Sequence, residues 1–406
     1  MNYVLKENVY LVKGSAKSCM YDFNTGKLYS VNENLAKELE KINDGLVKTE
    51  FITPDLKPII EKFVNLGLVD ISEYPKPHDI QEIKSVNTTC KMAWIEITSV
   101  CNLRCVHCYN ESDATNINIM SFNDYKLAID NVINIGIRKI QIIGGEPFTH
   151  KKELKKMLNY TIGKVDYIEI FTNGTLIDDD WYKYIAINNI HVALSLYSYD
   201  KQMHDKVTGK VGSWEKTHRT IEMLKQYKIP YRVCNVLMAD IDIGEKNTDC
   251  YTLSEEKDVV RMSGRANFKL LSKELIRKKL ITQNTFRHHL KKEFCKRLIS
   301  GHNCYKDRIY ISANLEVFPC VMERRIKHCT LGQSKHIILN DNIRNMTKDK
   351  IDDCKKCEYR YCCFDCRPNS LSGNLYEKPW YCTYDPITGK WCDENIFIQK
   401  LLDKWQ

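Results

Sequence analysis

Hydrophobic and polar positions follow a strand-like pattern at the start of this chain. The runs VYLVKG, CMYDF and KLYSV alternate with a period of two, and NTG between the last two is typical of a hairpin turn. NENLAKELEKIN then has an Asn cap and helical apolar spacing, and TPDLKPIIEKFVNLGLV predicts a second helix ending at Gly67 before a short strand. These elements predict a small winged-helix-like α+β domain over residues 1–78.

The pattern changes after a proline-containing segment, SEYPKPHDIQEIKS, which lacks apolar periodicity and predicts a linker. From about residue 92, strand-like and helix-like stretches alternate. The predicted strands are AWIEIT, RKIQIIGG, DYIEIFTNG, HVALSLY and PYRVCNVLM, with amphipathic helices between them. Five clear units and a sixth near ANFKLL predict an α/β fold, a partial (β/α)6 TIM-like barrel over residues 88–278.

Four residues with distinctive chemistry lie at or just after the ends of these predicted strands. They are Cys101, Gly144, Asn173 and Ser195. In parallel α/β folds the chemistry takes place at the carboxyl ends of the strands. We therefore expect these residues to meet at one mouth of the barrel.

The cysteine content of the chain adds metal binding to the functions that the pattern of elements allows. The chain has 406 residues and 18 cysteines, of which 12 lie between Cys250 and Cys392, where regular periodicity fades. No apolar run has the length of a membrane span, and the N-terminus has no signal-peptide core, so we expect a cytoplasmic protein. In such a setting, many cysteines favour metal binding over disulfides.

The sequence CNLRCVHC places Cys101, Cys105 and Cys108 on one short loop. A zinc site usually brings four ligands, and a disulfide would leave one of three thiols unpaired. Three thiolates can instead hold three irons of an iron–sulfur cube and leave the fourth iron open for a small-molecule chelate. The triplet therefore favours a cluster that binds a cofactor.

This triplet resembles the C-x3-C-x2-C signature of radical S-adenosylmethionine (SAM) enzymes. GGEP, TNG and LSLYSYD also lie where that family places its SAM-binding segments. The resemblance implies that the three cysteines ligate a 4Fe-4S cluster and that SAM chelates its open iron. The other SAM contacts that it implies come from His107, Gly144, Gly145, Glu146, Asn173 and Ser195, with Arg261 and Arg265 as further candidates for the SAM carboxylate.

The C-terminal cysteines, at residues 279–406, resemble the SPASM extension of radical SAM proteins, which carries two auxiliary 4Fe-4S clusters. On spacing alone, zinc ribbons compete with this interpretation. The resemblance implies one cluster on Cys304, Cys320 and Cys366, with Cys295 as fourth ligand or one iron open. The other cluster would use Cys354, Cys357, Cys363 and Cys382.

Two positions depart from the SPASM pattern. The family usually has a glycine five residues before Cys320, where this chain has Leu315. The adjacent pair Cys362 and Cys363 leaves the ligand open, and the spacing from Cys357 favours Cys363.

The front domain resembles the PqqD-like element of ribosomal-peptide maturases, which binds a leader peptide by adding it as a strand to its sheet. The rival interpretation is a winged-helix domain that binds nucleic acid. Residues 1–75 contain nine Lys, no Arg and eleven acidic residues, a net charge of 9 − 11 = −2, although the whole chain carries +9. This balance argues against phosphate contacts there, so we expect no nucleic-acid partner.

Together the resemblances imply a radical SAM/SPASM enzyme that modifies a ribosomally made precursor peptide by means of a 5′-deoxyadenosyl radical. A flavodoxin- or ferredoxin-type protein would supply the electron, and no membrane partner is expected. A thioether or another side-chain crosslink is the favoured product, and epimerisation remains an alternative. An anaerobic sulfatase-maturing type of oxidase is a second alternative, and a zinc-stapled nucleic-acid-binding regulator is the non-enzyme alternative.

Overall fold

The structure of the protein is a computed structural model that describes residues 1–84, 89–256, 258–287, 290–370 and 373–405. Ser85, at the end of the predicted linker, and residue 88, the first of the predicted barrel domain, lie outside the described residues. No helix within those ranges combines the length and the apolarity that crossing a membrane would require.

The N-terminal region contains the predicted strands and helices and one additional strand. Its strands are β1 (Asn2–Leu5), β2 (Val9–Lys13), β3 (Lys17–Asp22), β4 (Lys27–Asn32) and β5 (Val69–Ser72), and its helices are α1 (Glu33–Asn43) and α2 (Lys57–Asn65). β2, β3 and β4 pair in that order as an antiparallel sheet, and β1 pairs with β5. The Asn32 side chain accepts a hydrogen bond from Leu35 N, which confirms the predicted helix cap.

One apolar core holds these N-terminal elements together. Leu39 and Ile42 of α1 and Phe63 of α2 are buried against Val9 and Met20 of the sheet. The helical spacing of the first three and the alternation of the strands place all five on inward faces.

The centre of the molecule is an eight-stranded mixed sheet in the order β10-β9-β8-β7-β6-β11-β12-β13. Pairing from β10 to β11 is parallel, and β12 and β13 add an antiparallel hairpin edge. The strands are β6 (Met92–Glu96), β7 (Lys139–Ile143), β8 (Tyr167–Thr172), β9 (His191–Ser195), β10 (Tyr231–Cys234), β11 (Arg308–Ile311), β12 (Glu316–Phe318) and β13 (Cys329–Thr330).

Five helices connect the parallel strands, and four of them were predicted. They are α3 (Phe122–Asn134), α4 (Lys151–Thr161), α5 (Asp179–Ile187), α6 (Lys201–Thr208) and α7 (Ser213–Gln226). Their apolar stripes pack on the strands in one large core. Helix α6 escaped prediction because it has eight residues, too few for a clear period.

The predicted sixth strand near ANFKLL is wrong. Residues Phe268–Leu270 form a short 3-10 helix, because the Asn267 side chain accepts a hydrogen bond from Lys269 N and starts a local turn. The sixth parallel strand is β11, which pairs with β6 from Arg308↔Met92 to Ile311↔Ile95. The central sheet therefore continues past residue 278 into the cysteine-rich region.

The remaining C-terminal elements are short. They are α8 (Lys273–Lys279), α9 (Lys292–Ser300), α10 (Asn303–Asp307), α11 (Asp341–Arg344), β14 (Tyr384–Asp385), β15 (Lys390–Trp391) and α12 (Glu394–Trp405). The N-terminal sheet packs against this region. Tyr21 Oη donates to Glu358 O (2.9 Å), and Ser15 N donates to Lys356 O (2.8 Å).

The predicted linker is packed rather than extended. Residues Ile80–Ile83 form a 3-10 turn capped by Asp79, and Ile80 is buried. Gln81 Nε2 donates to Tyr361 Oη (2.9 Å), so this segment connects the front domain to the C-terminal region through side-chain contacts.

Candidate cofactor and cluster sites

The three clustered cysteines lie on the loop after β6, at the carboxyl edge of the parallel strands. Backbone hydrogen bonds fix this loop: Cys101 N donates to Asp113 O (3.0 Å), and Val106 N donates to Val207 O (2.9 Å). A cavity of about 340 Å³, here called the cofactor cavity, lies beside it. Its lining includes Cys101, Cys105, Cys108, His107, Gly144, Gly145, Asn173 and Ser195.

Burial keeps the Cys101 and Cys105 thiols protonated when no metal is bound. It raises the pKa of Cys101 to about 11 and that of Cys105 to about 12, and in Cys105 the neighbouring thiols of the triplet act in the same direction. Iron–sulfur clusters are held by thiolates, so cluster loading here would release protons. Three sulfur donors around one cavity fit the donor set that such a cluster requires.

A second segment holds the cysteine loop in place. Arg265 Nε donates to Cys105 O (2.9 Å), and its Nη2 donates to Ser112 O (2.7 Å). Gly264 has φ 58°, and a Cβ atom there would lie 2.4 Å from Cys108 O. Arg265, a candidate for the SAM carboxylate, therefore uses its guanidinium to position the loop, and Gly264 is a site residue that the sequence did not reveal.

The two glycines of GGEP let the chain pass close to the segment that leads into the cysteine loop. Gly145 N donates to Thr98 O (2.7 Å). A Cβ on Gly144 would lie 2.6 Å from Thr98 O, and one on Gly145 would lie 2.2 Å from Val100 O. The lack of side chains on these glycines therefore permits a close contact within the chain, with the backbone before Cys101.

Glu146 lies beneath the cofactor cavity and is fully buried. Its carboxylate accepts hydrogen bonds from Thr172 Oγ1 (2.8 Å), Asn173 N (2.7 Å) and Phe148 N (3.0 Å). Burial raises its pKa to about 7, and these hydrogen bonds act in the opposite direction. Of the six residues predicted to contact SAM, Glu146 is the one outside the cavity lining, and its visible role is to join the ends of β7 and β8.

Asn173 links the TNG turn to the cysteine loop. Its Nδ2 donates to Asn102 Oδ1 (2.9 Å) and lies 3.9 Å from Cys101 Sγ. Its Oδ1 accepts from Thr175 N (2.9 Å) and Thr175 Oγ1 (2.7 Å). The amide side chain therefore orients the loop that carries the first cysteine of the triplet.

His107 and Ser195 complete the set of predicted contacts. The His107 ring meets Tyr197 edge to face, with ring centroids 4.8 Å apart, and its Nδ1 has no hydrogen-bond partner in the described part of the chain. Burial lowers its pKa to about 4, so the ring is neutral. A neutral planar ring beside the triplet fits the contact with SAM that the resemblance implies for His107. Ser195 lies at the end of β9, opposite Cys234 of β10.

Cys234 and Asp258 line the cofactor cavity and were not predicted as site residues. Arg232 Nη1 donates to Cys234 Sγ (3.0 Å). Asp258 has a left-handed backbone (φ 51°), and its Oδ1 lies 3.4 Å from Arg261 Nη2. The end of β10 is the signal that would have identified Cys234.

Four C-terminal cysteines line one small cavity, here called the four-cysteine cavity. These are Cys354, Cys357, Cys363 and Cys382, the set expected for the second auxiliary cluster. Aromatic rings and cations surround them, including Phe286, Tyr359, Lys348 and Lys378. In the described ranges, no three His, Cys, Asp or Glu side chains converge in an arrangement that would hold a single metal ion.

The adjacent residues Cys362 and Cys363 have different surroundings. Cys363 Sγ accepts a hydrogen bond from Lys348 Nζ (3.0 Å) and lines the four-cysteine cavity. Cys362 Sγ donates to Tyr359 O (3.3 Å) and interacts with Tyr21 of the front domain. The cavity therefore includes Cys363, the residue that the spacing favoured.

Cys304, Cys320 and Cys366, here called the trio, interact with one another electrostatically. Burial raises the pKa of Cys366 to about 11, and the other two thiols contribute. The trio lies beside the cofactor cavity, because all three thiols interact electrostatically with Arg261, which lines that cavity. Cys295 is fully buried in another apolar cluster, together with Cys19 and Tyr21.

Leu315 replaces the family's glycine in a conformation that favours glycine. Its φ is 65°, the left-handed region, and its side chain is buried in the main core. The backbone therefore adopts a conformation that favours glycine although the residue is leucine, and core packing offsets the strain of about 1–2 kcal/mol.

A model of the Radical SAM superfamily matches residues 95–246. The antilisterial bacteriocin subtilosin biosynthesis protein AlbA of Bacillus subtilis is 33% identical over 143 residues, which are 35% of this chain and 32% of that protein. A cysteine-type anaerobic sulfatase-maturating enzyme of Clostridium novyi is 29% identical over 171 residues, 38% of this chain and 44% of that protein. The chain thus spans less than half the length of these curated relatives.

Among solved structures, Streptococcus suis SuiB is similar in fold, with TM-score 0.53 and 14% identity, covering 94% of this chain and 100% of that chain. SuiB bound to S-adenosylmethionine gives TM-score 0.52 and 15% identity with the same coverage. The cysteine-rich C-terminus fits a SPASM extension. Residues 95–246 are therefore a radical SAM domain, within an α/β fold that has a mixed central sheet.

Proposed function

We propose that this protein modifies a ribosomally made precursor peptide and forms a thioether or another side-chain crosslink. The observation that carries the proposal is the cofactor cavity, in which the cysteine triplet faces Gly144, Gly145, Asn173 and Ser195. The sequence similarity to a subtilosin biosynthesis protein favours a peptide substrate.

Cys101, Cys105 and Cys108 would hold the 4Fe-4S cluster, and the glycines, Asn173, Ser195 and His107 would hold SAM. When bound, this pair would supply the radical chemistry that removes a hydrogen atom from the substrate. The chain's own part is to fix the cysteine loop through Arg265 and Asn173, whose side chains bond to it directly.

Two auxiliary 4Fe-4S clusters belong to the same proposal. The four-cysteine cavity supports one of them on Cys354, Cys357, Cys363 and Cys382. The trio supports the other with three protein ligands, because Cys295 is buried elsewhere. Its fourth position would then be available for a substrate thiolate, and a flavodoxin- or ferredoxin-type protein would exchange electrons with the clusters.

The front domain, residues 1–78, would recognise the leader of the peptide. Its sheet has the order β2-β3-β4, and β4 pairs with β3 alone in the described part of the chain. The free edge of β4 offers the row of backbone groups that strand addition needs. The radical SAM domain (88–278) and the SPASM region (279–406) would then act on the part of the peptide substrate that follows its leader.

Anaerobic co-expression tests the proposal. The full chain is produced together with short peptides encoded by reading frames next to its gene, and each peptide is weighed by mass spectrometry. Three clusters predict about twelve irons per chain. A loss of two mass units indicates a crosslink, and an unchanged mass with an inverted residue indicates epimerisation. Colourless zinc protein with no SAM cleavage under reductant would falsify the proposal.

A further inference from the structure

A second cavity, of about 570 Å³, lies at the same edge of the central sheet and is here called the polar cavity. Its walls come from the end of β6, the turn between β11 and β12, the loop after the triplet and the segment after Cys320. Tyr109 lines both the polar cavity and the cofactor cavity. A group bound in one therefore lies a single side chain away from the other.

A hydrogen-bonded network forms the floor of the polar cavity. Glu96 is buried at the end of β6 and accepts hydrogen bonds from Asn110 Nδ2 (2.8 Å) and from the Tyr310 hydroxyl. Arg324 Nη2 donates to Asn110 Oδ1 (3.2 Å), and the guanidinium lies 4.1 Å from the centre of the Tyr310 ring. Asn110 follows the triplet along the chain, and Arg324 follows Cys320 of the trio. The floor of the polar cavity therefore connects the segments that carry the triplet and the trio.

The cations around the polar cavity already have acidic partners. Arg325 Nη2 lies 2.7 Å from Glu323 Oε2, and Lys327 Nζ lies 2.9 Å from Glu316 Oε1. Arg324 belongs to the floor network. A phosphate or another anionic ligand would have to break these pairs, which makes an anion a poor fit.

The groups that remain free are amides and one carboxylate. In the described ranges, the side chains of Asn118 and Asn314 form no hydrogen bond, and Glu111 forms no ion pair. Amides both donate and accept, as a peptide backbone does, and Glu111 adds a single negative charge. This combination suits an extended peptide with uncharged or basic side chains.

We propose that the polar cavity binds the stretch of peptide substrate next to the residue that reacts, and that Glu111 selects against acidic side chains there. The inference rests on the proposed function. A substrate that would lose a hydrogen atom at the cofactor cavity and an electron to a cluster held by the trio would have to approach both. The polar cavity adjoins the cofactor cavity through Tyr109 and the trio through the segment that carries Arg324.

The test uses the full chain, co-expressed with the peptide encoded beside its gene. Each residue within three positions of the modified residue is changed in turn to Glu or to Lys, and the fraction of peptide modified is measured by mass spectrometry. Three proteins are compared: wild type, Glu111→Lys and Asn314→Trp, which fills the cavity. Asn134→Trp, on an exposed helix end, is the control, and iron content verifies folding.

We expect wild type to modify at least one Glu-substituted peptide tenfold less than its Lys counterpart, and Glu111→Lys to abolish or invert that preference. Asn314→Trp should lower modification of the natural peptide at least tenfold, whereas the control should not. Equal modification by all four proteins, with the same preference, overturns the inference while the proposed function stands. A wild-type protein that modifies no peptide overturns the proposed function itself.

Discussion

Lys348 donates a hydrogen bond from Nζ to Cys363 Sγ over 3.0 Å, and both side chains line the four-cysteine cavity. The same Nζ lies 3.4 Å from Asp365 Oδ1. Burial alone would lower the Lys348 pKa, but the Cys363 and Cys354 sulfurs raise it on balance. A positive charge is therefore held next to a candidate cluster ligand.

Substituting Lys348→Met should lower the reduction potential of the auxiliary cluster proposed for this cavity. Hydrogen bonds and positive charge near a cluster stabilise its reduced, more negative form. A hydrogen bond to a charged group contributes about 1.5–3 kcal/mol, so we expect a shift on the order of 50–100 mV to more negative potential. A redox titration followed by electron paramagnetic resonance measures it.

The control for this substitution is Lys350→Met, because Lys350 is exposed two residues away. It removes the same charge from the same loop without touching the cavity. If Lys348→Met retains its iron and its auxiliary signal titrates at the wild-type potential, the role assigned to Lys348 is wrong.

The adjacent cysteines provide a second test. Cys363→Ser should lose about four irons per chain, because it removes one of the four sulfurs that line the cavity. Cys362→Ser should keep them, since its thiol contacts Tyr359 O instead. Iron analysis of the two variants side by side checks this. Loss of iron from Cys362→Ser alone would reverse the ligand assignment.

The sequence predicted those parts of the fold in which hydrophobic periodicity is long enough to measure. The Asn32 cap, the three-stranded front sheet and helices α3, α4, α5 and α7 are confirmed. Strand β11 was missed because RIYI is a short run among cysteines, and nothing local reveals that it pairs with β6 across more than 200 residues. Long-range pairing of this kind depends on the tertiary fold.

The sequence predicted those site residues whose side-chain chemistry defines their role, such as the cysteines. It did not predict residues whose role depends on where the fold places them. The triplet was found from its spacing and the four C-terminal cysteines from the resemblance to SPASM proteins, and each group lines a single cavity. Arg265 and Gly264 act through backbone carbonyls of the cysteine loop, a role that no residue pattern encodes. Glu146 was expected to contact SAM, but it is fully buried and does not line the cofactor cavity.

Gly264→Ala should destabilise the protein by about 2–5 kcal/mol and reduce iron loading of the triplet. A left-handed backbone costs a non-glycine residue about 1–2 kcal/mol, and the Cβ atom would also lie 2.4 Å from Cys108 O. Gly163→Ala is a matched control, because Gly163 has φ 80° but open space around its Cβ position.

Urea unfolding and iron analysis of the two alanine variants separate the cost of a left-handed alanine from the effect of the contact with the cysteine loop. The Gly163→Ala variant should lose only the conformational part, about 1–2 kcal/mol, and keep its iron. Equal losses of stability and of iron in both variants would show that the contact with the cysteine loop does not matter.

The raised pKa of Glu146 predicts that the stability of the protein falls as the pH rises. Burial raises its pKa from 4.5 to about 7 in the folded protein, so the folded state binds this proton more tightly than the unfolded state. Its contribution to stability is therefore fully present below pH 4.5 and is lost as pH rises through 7. The loss amounts to about 3 kcal/mol at most.

The variant Glu146→Gln isolates this contribution, because glutamine stays neutral throughout. Its amide cannot accept all three hydrogen bonds that the carboxyl receives from Thr172, Asn173 and Phe148, so it should be less stable than wild type at pH 5. The free energy of unfolding in urea, measured for both proteins from pH 5 to pH 8, should then converge as wild type loses stability. Parallel profiles over that range would mean that Glu146 titrates normally and that the buried carboxyl network does not control its proton.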